Sequence, residues 1–120
     1  MDDFKGRHII GLTETVVVHG KGKELKVRAR IDTGATKSSI DKALAKELDL
    51  GPQLRTTMIR SANGRVERPI IKVRLHLGDM DIESEFSMAD RAHMKYRVLI
   101  GQDILKQGYL IDPMKNKDDK

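Results

Sequence analysis

The chain has no cysteine and no tryptophan, and it carries only two tyrosines, two phenylalanines and three prolines in 120 residues. Without cysteine there is no disulfide, no thiolate metal site and no cysteine nucleophile, and the composition suits a reducing, cytoplasmic setting. With so few aromatics the core has to be built from Ile, Leu, Val and Met. No apolar run is long enough to cross a bilayer, and Met1–Lys5 is polar and acidic, unlike a secretory leader, so no membrane role is expected. The four histidines, His8, His19, His76 and His93, are scattered, with no His-Glu-x-x-His and no other ligand spacing, so no metal is expected. Gly20-Lys21-Gly22-Lys23 lacks the spacing of a phosphate loop and reads as a hairpin turn, so no nucleotide cofactor is expected either. Charge of one sign is also missing as a block. Lys and Arg total 23 against 18 acidic residues, a net charge of +5, but the two signs are interleaved and aromatics for base stacking are scarce. That pattern reads as a solvated charged surface rather than a nucleic-acid footprint.

What is present is an alternating strand that ends on an acid. Leu25, Val27, Ala29 and Ile31 sit at period two, so Lys23–Ile31 reads as a half-buried strand delivering Asp32 into the turn Thr33-Gly34-Ala35. Gly34 has no Cβ and Ala35 is small, so a second backbone or a substrate can approach closely. A carboxylate presented this way suits the activation of water, but that chemistry takes two carboxylates and the motif occurs once. The single copy therefore predicts a symmetric homodimer with the site on its two-fold axis.

The remaining punctuation divides the chain into short strands around one helix. His8–Val18 reads as one long strand, closed by His19-Gly20-Lys21-Gly22. Lys42–Leu50 is the one convincing helix, with Asp41 as N-cap, Ile40, Leu44 and Leu48 on one face, and Gly51-Pro52 as its stop. Leu54–Ser61 and Arg65–Leu77 flank Asn63-Gly64, a hairpin signal whose type I′ turn needs positive φ at both positions. Ile71, Val73, Leu75 and Leu77 alternate cleanly, and Gly78-Asp79 turns the chain into Ile82, Ser84, Phe86 and Met88. Arg97–Ile100 is a compact strand ending at Gly101, Asp103–Gln107 a helical turn, and Tyr109–Ile111 a last strand. Residues 1–113 read as a single domain, and the charged segment 114–120 as a disordered tail. An all-β barrel or sandwich with one helix fits this pattern.

Taken together, these residues resemble the retropepsin-like aspartic peptidases. The segment from Ile31 to Ile40 looks like their catalytic loop, the Asn63-Gly64 hairpin falls where they carry a flap, and Val98-Leu99-Ile100-Gly101 resembles the element that packs behind the loop. Arg68-Pro69, Ala89-Asp90-Arg91, Met94-Lys95-Tyr96 and Asp112-Pro113 are most similar to a prokaryotic branch labelled ATP-dependent zinc protease, whose members stand alone or beside ATP-grasp ligases. The resemblance implies a mainly β, retropepsin-like acid-protease barrel with one short helix after the catalytic loop and a short C-terminal helical turn. Two positions depart from it. Many relatives have Gly-Arg where this chain has Gly101-Gln102, and a Pro where Arg97 stands. In viral members that Arg pairs with an acid, and the matching position here is Thr36, so neither is left as an unpaired buried charge.

The resemblance also assigns roles. Asp32 is the catalytic residue of an aspartic-type peptidase, or hydrolase of peptide-like amide bonds, that acts as a homodimer on an extended peptide or protein. Thr33, Gly34, Ala35 and Gly101 support the active-site loop, the Thr33 hydroxyl bracing the two loops across the dimer axis. Ser61, Ala62, Asn63 and Gly64 form the flap tip; the alternative is an ordinary exposed hairpin. No cofactor is implied, and ATP dependence would have to come from an ATP-grasp partner enzyme. Ser38 and Ser39 read as helix-entry caps, and Arg68, Asp90 and Arg91 as a charge cluster near the site or a structural ion pair. The competing functional reading is a non-catalytic peptide- or partner-binding module on the same fold.

Overall fold

Period-two burial organises the chain. Ile71, Val73, Leu75 and Leu77 are all buried, while Lys72, Arg74 and His76 between them face solvent. The computed structural model describes residues 5–62 and 64–118. Its elements are β1 (His8–Ile10), β2 (Thr13–His19), β3 (Glu24–Ile31), β4 (Ser39–Asp41), α1 (Lys42–Glu47), β5 (Arg55–Ser61), β6 (Gly64–Leu77), β7 (Met80–Ala89), β8 (Val98–Ile100), α2 (Gln102–Leu105) and β9 (Tyr109–Ile111). Strand order β2-β3-β8-β4-β7-β6, with β6 pairing back onto β2, closes a six-strand barrel. The core inside it is mostly aliphatic, as the composition required: Val16, Val18, Ile40, Leu75 and Ile100 share one buried cluster with Phe86. The fold is the expected mainly β barrel with two short helices.

Two pairings set up the site. β3 and β8 run parallel, with Ile31 beside Ile100, so their C-terminal ends emerge together and place Asp32 next to Gly101. β5 hangs outside the ring on the first half of β6, so the β5–β6 hairpin projects beyond the barrel.

Several expectations need correction. The long first strand is two strands: Glu14 is buried, accepts the Gly11 N–H at 2.7 Å and bends the chain. β1 then leaves the barrel and pairs in parallel with β9. The helix ends at Glu47, because Asp49 already takes a left-handed φ of 57°, before Gly51-Pro52 is reached. In the β5–β6 hairpin the pairing runs as far as Ser61 opposite Gly64, so Gly64, at φ 106°, is a paired residue of β6 rather than a turn position. Asn63 itself lies outside the described residues. The segment after Pro113, expected to be disordered, forms turns as far as Asp118. Lys115 Nζ donates to Ile9 O at 2.9 Å and Asn116 Nδ2 to Thr13 O at 3.1 Å, polar ties that hydrophobic periodicity does not register.

Asp41 joins the helix to the barrel. Its carboxylate is 1% exposed and accepts hydrogen bonds from Leu44 N–H (3.3 Å), Arg91 N–H (2.8 Å) and the Arg97 guanidinium (3.0 and 3.1 Å). Arg97, where the resemblance led one to expect Pro, thus supplies the countercharge for a buried acid. Burial on its own raises the Asp41 pKa, but the hydrogen bonds from Arg91, Arg97 and Leu44 and the Arg97 charge together hold it below 3.8. A depressed folded value contributes stability that is present above the ordinary carboxylate range and is lost as pH falls through the folded value. Asp41→Ala is expected to cost about 2–3 kcal/mol, since it orphans two buried amides and one partner of an ion pair. Urea unfolding at neutral pH measures the loss, and repeating it at acid pH should show the variant losing less further stability than the parent.

Candidate active site

The turn after β3 holds Asp32 by its own backbone. Asp32 N–H donates to Ile100 O at 2.9 Å, continuing the parallel ladder, and Ala35 N–H donates to Asp32 O at 3.2 Å. The half-buried carboxylate accepts the Gly34 N–H on Oδ1 at 2.9 Å. A Cβ on Gly34 would lie 3.2 Å from that oxygen, so glycine keeps it approachable. Thr33 is exposed, and its hydroxyl makes no hydrogen bond among the described residues.

The far side of the loop is clamped by three consecutive residues. A Cβ on Gly101 would sit 2.8 Å from both Ala35 O and Lys37 O, so only glycine allows β8 to pass this close behind the loop. Gln102 N–H donates to Ala35 O at 2.8 Å, and its side-chain Nε2 donates to Thr33 O at 2.7 Å. Asp103 N–H donates to Thr36 O at 3.3 Å. Ser38, fully buried, accepts the Gly101 N–H on its hydroxyl oxygen at 2.9 Å and donates that hydroxyl to Asp103 Oδ1 at 2.8 Å. Ser38 is therefore no helix cap; Asp41 fills that role, and Ser38 ties the Asp32 loop to α2. Sequence reasoning missed Asp103 and read Gln102 only as a departure. The available signal was that Asp41 already satisfied the helix, leaving Ser38 without a partner.

Between this loop and β5 lies a groove of about 540 Å³ lined by Gly34 and Ala35 on one side and Met58, Ile59 and Arg60 on the other. Its remaining cations are Lys37, Arg68 and Arg91, and among the described residues no carboxylate lines it. Of the sequence-derived cluster, Arg68 and Arg91 meet here, whereas Asp90 is exposed and accepts the Ala92 N–H at 3.2 Å. Arg91 is largely buried, with Nε donating to Tyr96 O at 3.0 Å. Burial lowers its pKa, and the charges of Asp41 and Asp32 act in the opposite direction. The guanidinium remains a cation throughout the neutral range. Ala62 and Gly64 are exposed at the end of the projecting hairpin, whose strand β5 forms one wall of this groove. Among the described residues no three His, Asp or Glu side chains come together to hold a metal ion, and no helix is long and apolar enough to cross a membrane.

A closed barrel with an Asp-Thr-Gly turn braced by a glycine-headed helix is a retropepsin-like architecture, and solved structures agree. EIAV protease complexed with the inhibitor HBY-793 superposes with a TM-score of 0.65 at 23% identity, over 86% of this chain and 88% of that one. Lpg0085 of Legionella pneumophila, a protein of unknown function, gives 0.59 at 19% identity, over 88% and 93%. A retropepsin-like aspartic protease from Rickettsia conorii gives 0.51 at 17% identity, over 78% and 69%. No curated protein matches the chain. The model of the RimB-like family, described as retropepsin-like aspartic endopeptidase RimB, matches residues 42–119. The chain belongs to that family. The match begins just after the Asp32 loop, so it is carried by the hairpin, the barrel and the α2 clamp rather than by the Asp-Thr-Gly turn.

The clamp predicts a sharp sensitivity at one position. Gly101→Ala places a methyl against backbone on both sides, where nothing flexible can give way, and is expected to destabilise the protein by about 1–3 kcal/mol. Amide chemical shifts should move at Asp32–Ser38 and remain in place in β6 and β7.

Proposed function

We propose that the chain acts as a homodimeric aspartic peptidase, each protomer contributing one Asp32 to a catalytic dyad. The observation that carries this reading is the Asp32 carboxylate, positioned by Gly34 N–H on a loop backed by Gly101, beside a groove with one wall formed by β5 of the projecting hairpin. Two carboxylates facing each other cannot both ionise easily, so they share one proton. The ionised one takes a proton from water as the oxygen adds to the scissile carbonyl carbon; the protonated one donates to the carbonyl oxygen. Collapse of the tetrahedral adduct breaks the C–N bond, and the amine leaves with a proton from the dyad. In this reading the Thr33 hydroxyl braces the loops across the two-fold axis, and Ser61, Ala62, Asn63 and Gly64 close over an extended peptide. ATP dependence, where it exists, belongs to an ATP-grasp partner.

Association of two copies is supported by exposed apolar residues on and next to the terminal strands. Ile9, Leu12 and Met114 are 54%, 52% and 66% exposed, and a cavity of about 420 Å³ beside them is lined by Ile9, Leu110, Ile111, Asp112 and Pro113. Sedimentation from micromolar to millimolar protein should show a dimer. A strictly monomeric species, with no association on adding substrate, would favour the binding-module reading. Asp32→Asn keeps the shape of the side chain and removes the base from both subunits at once, so turnover should vanish while the circular dichroism spectrum is unchanged. Hydrolysis by a folded Asp32→Asn protein would assign the chemistry to another residue.

The groove adds a preference. Lys37, Arg60, Arg68 and Arg91 face it without a lining carboxylate, so peptides rich in Glu and Asp are the favoured substrates. Attraction of this kind is screened by salt. The KM for an acidic peptide should rise several-fold from low to high ionic strength, while that of a neutral peptide of equal length barely moves. Arg68→Gln should raise the low-salt KM for the acidic peptide about tenfold, the scale of one charge-assisted hydrogen bond. Equal KM values for the two peptides at every salt concentration would remove the acidic preference.

A further inference from the structure

Thr33 C=O and Gly34 N–H belong to one peptide unit, and the structure engages both ends of it. Gln102 Nε2 donates to Thr33 O at 2.7 Å on one side, and Gly34 N–H donates to Asp32 Oδ1 at 2.9 Å on the other. The two bonds form a chain running from a side-chain amide, through a planar peptide, to the candidate catalytic carboxylate. We propose that Gln102 is a positioning residue for Asp32, acting through the Thr33–Gly34 peptide plane.

Three features support a specific role rather than general packing. A peptide unit is rigid, so fixing its carbonyl fixes the direction of its N–H. A carbonyl that accepts a hydrogen bond also makes the N–H of the same unit a stronger donor, the polarisation seen in hydrogen-bond chains. Gln102 is itself anchored, because its backbone N–H is held by Ala35 O at 2.8 Å and it opens α2 directly after Gly101, whose N–H is held by the Ser38 hydroxyl at 2.9 Å. The side chain thus spans from a held helix start to the Thr33 carbonyl. The link requires a donor: methionine has none, and an ionised glutamate would place an acceptor against the Thr33 oxygen. An arginine, with five N–H donors, can replace it.

This inference rests on Asp32 being the working carboxylate, but its first test does not. In the 15N-labelled full chain, Gln102→Met should shift the Gly34 amide proton upfield and speed its hydrogen exchange about fivefold, the scale of one weakened hydrogen bond. Gln102→Glu should do the same to a greater extent, and Gln102→Arg should restore the parent behaviour. The Ala35 and Asp103 amides, held by backbone partners, should stay in place and serve as the control for folding. Wherever peptide hydrolysis is measurable, Gln102→Met should lower kcat several-fold with KM unchanged. A Gly34 amide that is the same in parent, Met and Glu variants overturns the proposal. So does a loss of Ala35 and Asp103 signals along with Gly34, which would make Gln102 a packing residue. A shifted Gly34 amide in a chain that hydrolyses nothing leaves the positioning role standing and overturns the peptidase reading alone.

Discussion

Everything at the candidate site depends on how closely β8 can pass behind the Asp32 loop. That distance is set by the missing Cβ of Gly101, which would otherwise meet two carbonyl oxygens of the loop at 2.8 Å. Because the chain comes this close, the next residues can use their backbone N–H groups on Ala35 and Thr36, and Ser38 can reach Asp103 and Gly101 with one hydroxyl. The carbonyls of Thr33, Ala35 and Thr36 in a short loop without regular structure are thereby satisfied, which gives a carboxylate at its tip a fixed direction. Positioning of this kind is what general acid–base chemistry needs, since geometry precedes acidity in making a base effective.

The charge pattern divides along the same lines. On the outer face of the barrel, the acids of β7 are matched to the bases of β5 and β6: Asp81 pairs with Arg74, Glu83 with Lys72 and Glu85 with Arg55. Asp81 and Glu85 have their pKa values lowered, first by hydrogen bonds from those arginines, and all of these pairs stay exposed enough to contribute little stability. The groove lining, by contrast, holds Lys37, Arg60, Arg68 and Arg91 and, among the described residues, no acid. Of these four, Arg91 lies within the fields of Asp41 and Asp32, and Lys37 within that of Glu85. On the hairpin, Arg60 and Arg65 stand directly opposite each other, a like-charge cross-strand pair that weakens the ladder near its tip.

Asp41 shows why some departures from a family pattern are not defects. A buried acid of this kind is tolerated only when all its acceptor capacity is used and a cation is near. Arg97 provides the cation and Arg91 and Leu44 the amide donors, so one side chain ties the start of α1 to the segment leading into β8. Gln102 is a second such case. It stands where the resemblance led one to expect arginine, and it takes up the Thr33 carbonyl instead of a charge pair.

The strands and the Asp32 turn were legible because their physics is local. Period-two burial, the glycines at turns and Asp41 as a cap each follow from neighbours within a few residues, and β3, β6 and α1 appear close to where those signals put them. Where local signals compete, the sequence was less informative. The break at Gly11 and the ordered turns after Pro113 arise from Glu14, Lys115 and Asn116 meeting over about a hundred residues of chain, and no periodicity records such contacts. The clamp on the loop has the same origin: Ser38 and Asp103 are 65 residues apart in sequence, and each has a plausible local reading as a cap or a surface acid. By itself the sequence determined which residue is presented at the end of a strand, because backbone alternation and turn chemistry act over short range. Only the tertiary structure decided what holds that residue in place and what faces it, because close approach of β3 to β8 depends on closing the barrel, a property of all six strands together.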